Sequence, residues 1–243
     1  MDNIEYKNGR RVTKFTYELS PLDAAIAAFE ENVKKQETLV EENHDETTID
    51  QFPDRKKEKE VALAFLKNER RHLKTMASVH ARLEIYRRTG ERVDSKSRRT
   101  SDKALQTMKK EEHHPTEQLE EFMRAEGVAK PSTLHTAHHV VPGKGKLVEL
   151  TAGTRLHIHL NGIRINDPAN GVYLLHKDEY TPHWSMPKSR GHLKYHTHEY
   201  EQFLNGRITM LTGKDTIKKN LQVIGRLLQQ HEPKTAIPMI KRR

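Results

Sequence analysis

The stretch Leu134-His135-Thr136-Ala137-His138-His139-Val140-Val141-Pro142 decides how this chain folds around its chemistry. It is a short β-prone run, His138–Pro142, that opens on two adjacent histidines and closes on a proline, which has no amide hydrogen to donate. Downstream, Asp167-Pro168-Ala169-Asn170-Gly171 reads as a turn and Val172–Leu175 as a second strand. Between the two strands, residues 147–161 read as a helix stopped by Gly162, followed by an extended Ile163–Ile165. A loop with Pro182, Trp184, Pro187 and Gly191 then leads to a helix expected from about His192 to Leu211. A last helix, near 216–230, carries Ile217, Leu221, Ile224 and Leu228 on one face. The order is strand, insert, strand, helix.

The N-terminal side has a different texture. Residues 4–17 read as a β-hairpin around Asn8-Gly9, a pair suited to a type I′ turn. Ser20-Pro21 with Asp23 starts a helix as N-cap, first helical residue and N3. Residues 41–53 form an acidic stretch ending in Phe52-Pro53, a loop. Asp54 then caps a long helix running to Thr89, with Gly90 as its stop. Its apolar residues, among them Val61, Phe65, Leu83 and Tyr86, read as a core-packing stripe. Residues 91–101 look like a flexible link, and short helices come next near 102–112 and 116–126. The fold class is therefore α+β and mostly helical, with a helical region over residues 1–130 and a second domain over residues 131–243.

Composition bounds the function. The 243 residues include no cysteine, so a transition-metal site must use histidine and carboxylate. No apolar stretch is long enough to span a bilayer, and the opening MDNIEYKNGRR has no apolar signal region. The expectation is a protein without a membrane segment, exported, if at all, without a cleaved signal. Charge is uneven: residues 130–243 hold 18 Lys and Arg against 8 Asp and Glu, whereas residues 1–129 hold 25 against 26. Ten of the 16 histidines fall between His135 and His198, inside the basic half. A basic surface around a histidine cluster points to a polyanion.

His192 and His196 are four residues apart, so on one helix both imidazoles share a face and can reach one ion. With His138-His139 the set holds four imidazoles. Three can bind a divalent metal, and the fourth can deprotonate water beside it. In a strand, however, adjacent side chains point to opposite faces, so both histidines serve one site only if it wraps the strand. A second dihistidine, His113-His114, has no strand, no Asn turn and no following HxxxH; it reads as solvated surface.

The segments HTAHHVVP, INDPANGVYL and HLKYHTHEY together resemble the AHH nucleases of the HNH/endonuclease VII superfamily, over about residues 131–211. The resemblance implies a ββα-metal finger. It implies His138 as a metal ligand, His139 as general base and Asn170 as the residue that braces the loop and orients that base. His196, and His192 with it, would be metal ligands from the helix, as in bacteriocin DNases with a similar HxxxH. The implied cofactor is a divalent ion. All-imidazole ligation favours Zn or Ni over Mg, which prefers oxygen. Lys188, Arg190 and Lys194 lie beside the expected helix start and are candidates for flanking phosphates.

The expected activity is that of a DNA endonuclease of low sequence preference. Rival readings are an RNase with the same site and a non-enzymatic nucleic-acid-binding protein with a structural metal. Family members commonly occur as toxin domains paired with an immunity protein. Residues 1–130 are accordingly expected to serve delivery by a secretion system, docking or immunity recognition, and the toxin to act in the cytoplasm of a target bacterium. Of the other candidates, His157 and His159 read as surface or packing, Trp184 as a packing anchor or a base-stacking ring, and Tyr200 as structural.

Overall fold

A computed structural model describes residues 6–7, 10–11, 19–42, 53–91 and 98–237, and in it the chain divides into two compact units, residues 1–81 and 82–243. In the first unit, β1 (Tyr6–Lys7) and β2 (Arg10–Arg11) pair antiparallel with Tyr6 opposite Arg11. The rest of the hairpin expected over residues 4–17, including Asn8-Gly9, lies outside the described residues. Helix α1 (Pro21–Glu42) starts as its sequence dictates: the Asp23 amide donates to Ser20 Oγ at 3.1 Å, and Ser20 Oγ donates back to the Asp23 carboxylate at 2.7 Å. Helix α2 (Pro53–Glu91) begins at Pro53, whose fixed φ suits the first helical position, and it runs through Gly90. The expected apolar stripe divides along its length. Val61 and Phe65 are exposed, whereas Leu83 and Tyr86 are buried in the second unit. The acidic segment 43–52 and the link 92–97 lie outside the described residues. Among the described residues no helix is long and apolar enough to cross a membrane.

The second unit holds α3 (Arg98–Lys110), α4 (Glu117–Ala125), β3 (His135–His139), α5 (Val148–Leu160), β4 (Gly171–Leu175), α6 (His198–Ile208), α7 (Lys214–Gln230) and α8 (Pro233–Ala236). It is mostly helical around one antiparallel ribbon, in which His138 pairs with Val172 and His139 with Gly171. The ribbon has two working faces. Val172 and Leu174 enter the main core with Val140, Ile158, Tyr200 and Leu221, while Ala137 and Tyr173 face Leu119 and Met123 of α4. Gly171 makes the second contact possible, since a Cβ there would meet Met123 Sδ at 2.5 Å and Leu119 Cδ1 at 2.9 Å. So α3 and α4, which fall within the expected N-terminal region, pack in the same unit as the ribbon.

Two expected elements differ. Ile163–Ile165 forms no strand. Gly162 at φ 75° ends α5, with its amide bonded to His159 O and the Ile163 amide to Ile158 O, so the chain turns back over the helix end. The helix expected from His192 to Leu211 is also two pieces. His192–Tyr195 is a 3-10 turn, and α6 starts only after Thr197, whose hydroxyl accepts the Tyr200 amide at 3.2 Å. A threonine cap followed by Glu199 in the first turn sets the helix start, not the histidine spacing.

Candidate active site

Successive strand residues point to opposite faces, and the ribbon uses this to separate the two histidines. His138 turns to the side of the 3-10 turn. Its ring centroid lies 5.0 Å from that of His196 and 6.1 Å from that of His192, and those two are 6.0 Å apart. The structure thus brings His138, His192 and His196 together, although the last two share no helical face. His138 is buried, and its Nε2 has no hydrogen-bond partner. Burial first, then the neighbouring His196 and His192, hold its pKa well below the usual histidine range. His192 is fixed from behind: its Nδ1 donates to His176 O at 2.8 Å, which leaves Nε2 free, and the His176 ring stacks on it at 5.5 Å. His192 and His196 are also shifted toward neutrality, chiefly by burial.

His139 turns to the other side, toward α4. Its Nε2 lies 2.9 Å from Asn166 Oδ1. The amide orientation of Asn166 is set by its other partners. Its Nδ2 donates to Glu112 O and to Gln118 Oε1, both at 2.9 Å, and Glu112 O can only accept. Asn166 Oδ1 therefore accepts, the proton of His139 sits on Nε2, and Nδ1 carries the free lone pair. Burial pushes the His139 pKa down to about 4 against the opposing Asn166 bond, so the ring is a neutral base at pH 7.

Asn170 sits elsewhere. Its Oδ1 accepts the Val141 amide at 2.8 Å, and its Nδ2 donates to Val141 O and Ile165 O. It braces the strand end but does not touch the His139 ring; Asn166 does. Asn166 went unseen in the sequence because the INDPAN segment offers two asparagines and only the tertiary fold tells them apart. Of the basic candidates, Arg190 is clamped bidentately on Asp178 at 2.8 and 2.5 Å, and Lys194 lies 3.9 Å from the same carboxylate. Lys188 is exposed and lines a cavity with Pro131, Ser185 and Gln229 that includes none of the four histidines. Trp184 is 82% exposed and so anchors no core. Tyr200 is structural, donating to Val140 O at 2.7 Å.

The pair His113-His114 does not stand apart in solvent as its sequence context implies. Its rings lie 6.3 and 6.1 Å from that of His139. The flanking Glu111, which reads as solvated charge, is instead held by the Tyr86 hydroxyl and by Arg164 at 3.1 Å. A second feature hidden from the sequence is Glu201. Buried on α6, it accepts the amides of Lys146 and Leu147 at 2.8 and 2.6 Å and the Thr151 hydroxyl at 3.1 Å, and so fixes the loop Gly143-Lys144-Gly145-Lys146 beside the strand end.

Residues 119–228 match the model of AHH, a nuclease family of the HNH/ENDO VII superfamily with conserved AHH. This region belongs to that family. In the AHH region, Ala137-His138-His139 is the triplet on β3. No curated protein and no solved structure matches the chain.

Nucleases of this superfamily use divalent metal ions, and the donors of the AHH region fit one. A tetrahedral ion held by imidazole nitrogens places ring centroids about 5 Å apart. His138 and His196 stand at that spacing, and His192 stands about 1 Å wider. Accordingly, among the described residues no three side chains already close on one ion position. An unpartnered buried Nε2, three neutral rings and a carbonyl behind His192 are the donor set that an intermediate-to-soft divalent ion takes.

Proposed function

We propose that the second unit is a metal-dependent endonuclease that hydrolyses DNA with little sequence preference. The observation that carries this reading is the division of labour on β3: His138 presents an unpartnered Nε2 to His192 and His196, and His139 presents a free Nδ1 on the opposite face. Hydrolysis forms a bond from a water oxygen to phosphorus and breaks the bond from phosphorus to a sugar oxygen. His139 Nδ1 takes the water proton, and Asn166 Oδ1 stabilises the resulting imidazolium through Nε2–H. Asn170 keeps the strand end in place beneath it. His138, His192 and His196 would hold the ion, which supplies charge neutralisation at the phosphate. Lys188 and Lys194, with Lys144 and Lys146 on the Glu201-held loop, would meet flanking phosphates. The excess of 18 cationic over 8 anionic side chains in residues 130–243 supports a nucleic-acid backbone as substrate.

The biological reading is an antibacterial toxin neutralised by a cognate immunity protein and delivered without a cleaved signal into a target bacterium. Residues 1–130 would serve delivery, docking or immunity recognition. The test is incubation of the purified full chain with supercoiled plasmid and, separately, with structured RNA across Zn, Ni and Mg, with and without EDTA. Nicked and linear plasmid that EDTA prevents is expected. Intact plasmid with degraded RNA would make it an RNase, and both substrates intact in every metal would overturn the enzyme reading.

A further inference from the structure

Resting on the reading of His139 as base, we infer that the segment Glu111–Pro115 forms a second wall of the active site, in which His114 donates a hydrogen bond to a phosphate oxygen of the bound nucleic acid. This segment precedes the family-matched region, which begins at residue 119. It is nevertheless fastened to that region from several sides. Asn166, which holds the base, donates to Glu112 O; Arg155 donates to Met108 O, Glu111 O and Gly143 O at 2.8, 3.1 and 3.0 Å. These bonds occupy Glu111 O and Glu112 O, just past the end of α3, and add a second donor to Met108 O, which also accepts the Glu111 amide at 3.2 Å. Tyr86 and Arg164 hold the Glu111 side chain, and Tyr86 Oη accepts the Asn166 amide at 2.9 Å.

The two imidazoles divide their roles. His113 packs down: a Cβ on Gly143 would overlap its ring, so that glycine leaves the space the ring fills. His114 is exposed, stands 4.6 Å from His113 and meets His139 edge-on at 6.1 Å. The ring therefore borders the space beside the base His139. That is where the scissile phosphate and its neighbours must lie. An exposed imidazole on a braced backbone, with no hydrogen-bond partner among the described residues, is a donor placed for an external oxygen.

The test uses the full chain with three variants, His114→Ala, His114→Gln and His139→Ala. Cleavage kinetics are read on plasmid, and affinity for a short fluorescein-labelled DNA duplex is read by anisotropy in the His139→Ala background, where the duplex stays uncut. Loss of one phosphate hydrogen bond should raise KM and Kd roughly five- to tenfold with kcat within about twofold. Melting temperature and metal content should stay at wild-type values, and His114→Gln, which keeps an N–H donor, should restore most of the affinity. Wild-type KM and Kd in His114→Ala would overturn the inference, as would a loss that tracks melting temperature and is not restored by glutamine. If His139→Ala cuts like the wild type, the reading of the base fails; if it is inert and His114→Ala behaves as wild type, only the inference about His114 fails.

Discussion

Asn166→Ala removes three hydrogen bonds of 2.9 Å at once, from His139 Nε2, Glu112 O and Gln118 Oε1, at a residue 2% exposed. At about 1 kcal/mol each, the fold loses about 3 kcal/mol. For a unit of this size that lowers the melting temperature by roughly 6–12 °C. A domain with only about 5 kcal/mol of stability would keep about 2 kcal/mol and stay about 97% folded at 25 °C. Unfolding therefore takes away almost none of the activity. Catalysis loses more, because the imidazole is no longer held in one tautomer and one orientation, and a misplaced base costs on the order of a hundredfold in rate. The assay is kcat on plasmid at 25 °C beside a thermal melt, with the His139 tautomer read from its ring nitrogen-15 shifts. A wild-type kcat together with the expected fall in melting temperature would refute the positioning role and leave Asn166 a structural brace.

The ribbon was legible because short-range chemistry writes it. A β-prone run ended by Pro142 and the Asp167–Gly171 turn both act within a few residues; His192 and His196 do come near His138, but from a 3-10 turn and not from the shared helical face that their spacing predicts. The true start of that helix was not legible, since a threonine cap at 197 outweighs the apparent periodicity of the histidines before it. The base side was illegible for a different reason. Asn166, Glu112, Gln118 and the His113-His114 pair meet one another or His139 across sequence separations of 25 to 54 residues, and their local context, charged helix end and polar turn, resembles surface. Arg190 illustrates the opposite case: its sequence position beside the site makes it a phosphate candidate, and only the fold shows that Asp178 engages its fork.

Three other perturbations probe the supports of the site. Gly191→Ala should destabilise the fold and weaken metal binding, because the new Cβ would collide with the Asp178 backbone nitrogen and force the His192 turn outward; a wild-type melt and metal titration would contradict this. Arg190→Ala should lower the melting temperature slightly and leave the salt dependence of DNA binding unchanged, since the guanidinium is engaged by Asp178; a shallower salt slope would show that it contacts phosphate after all. His159 is buried with both ring nitrogens unpartnered, and burial lowers its pKa to about 4. The unfolded chain, near 6.5, binds the proton first, so this contribution is fully present above that pH and is lost as pH falls toward 4, by about 3 kcal/mol. His159→Leu should flatten chemical-denaturation stability over that window by this amount, and an unchanged pH dependence would contradict it.

The most direct test of the division of labour on β3 is the metal content and plasmid cleavage of His139→Ala, measured on the same preparation. Metal retained at the wild-type level with cleavage abolished is the expected result. Cleavage that persists, or metal lost together with activity, would show that His138 and His139 do not hold separate roles.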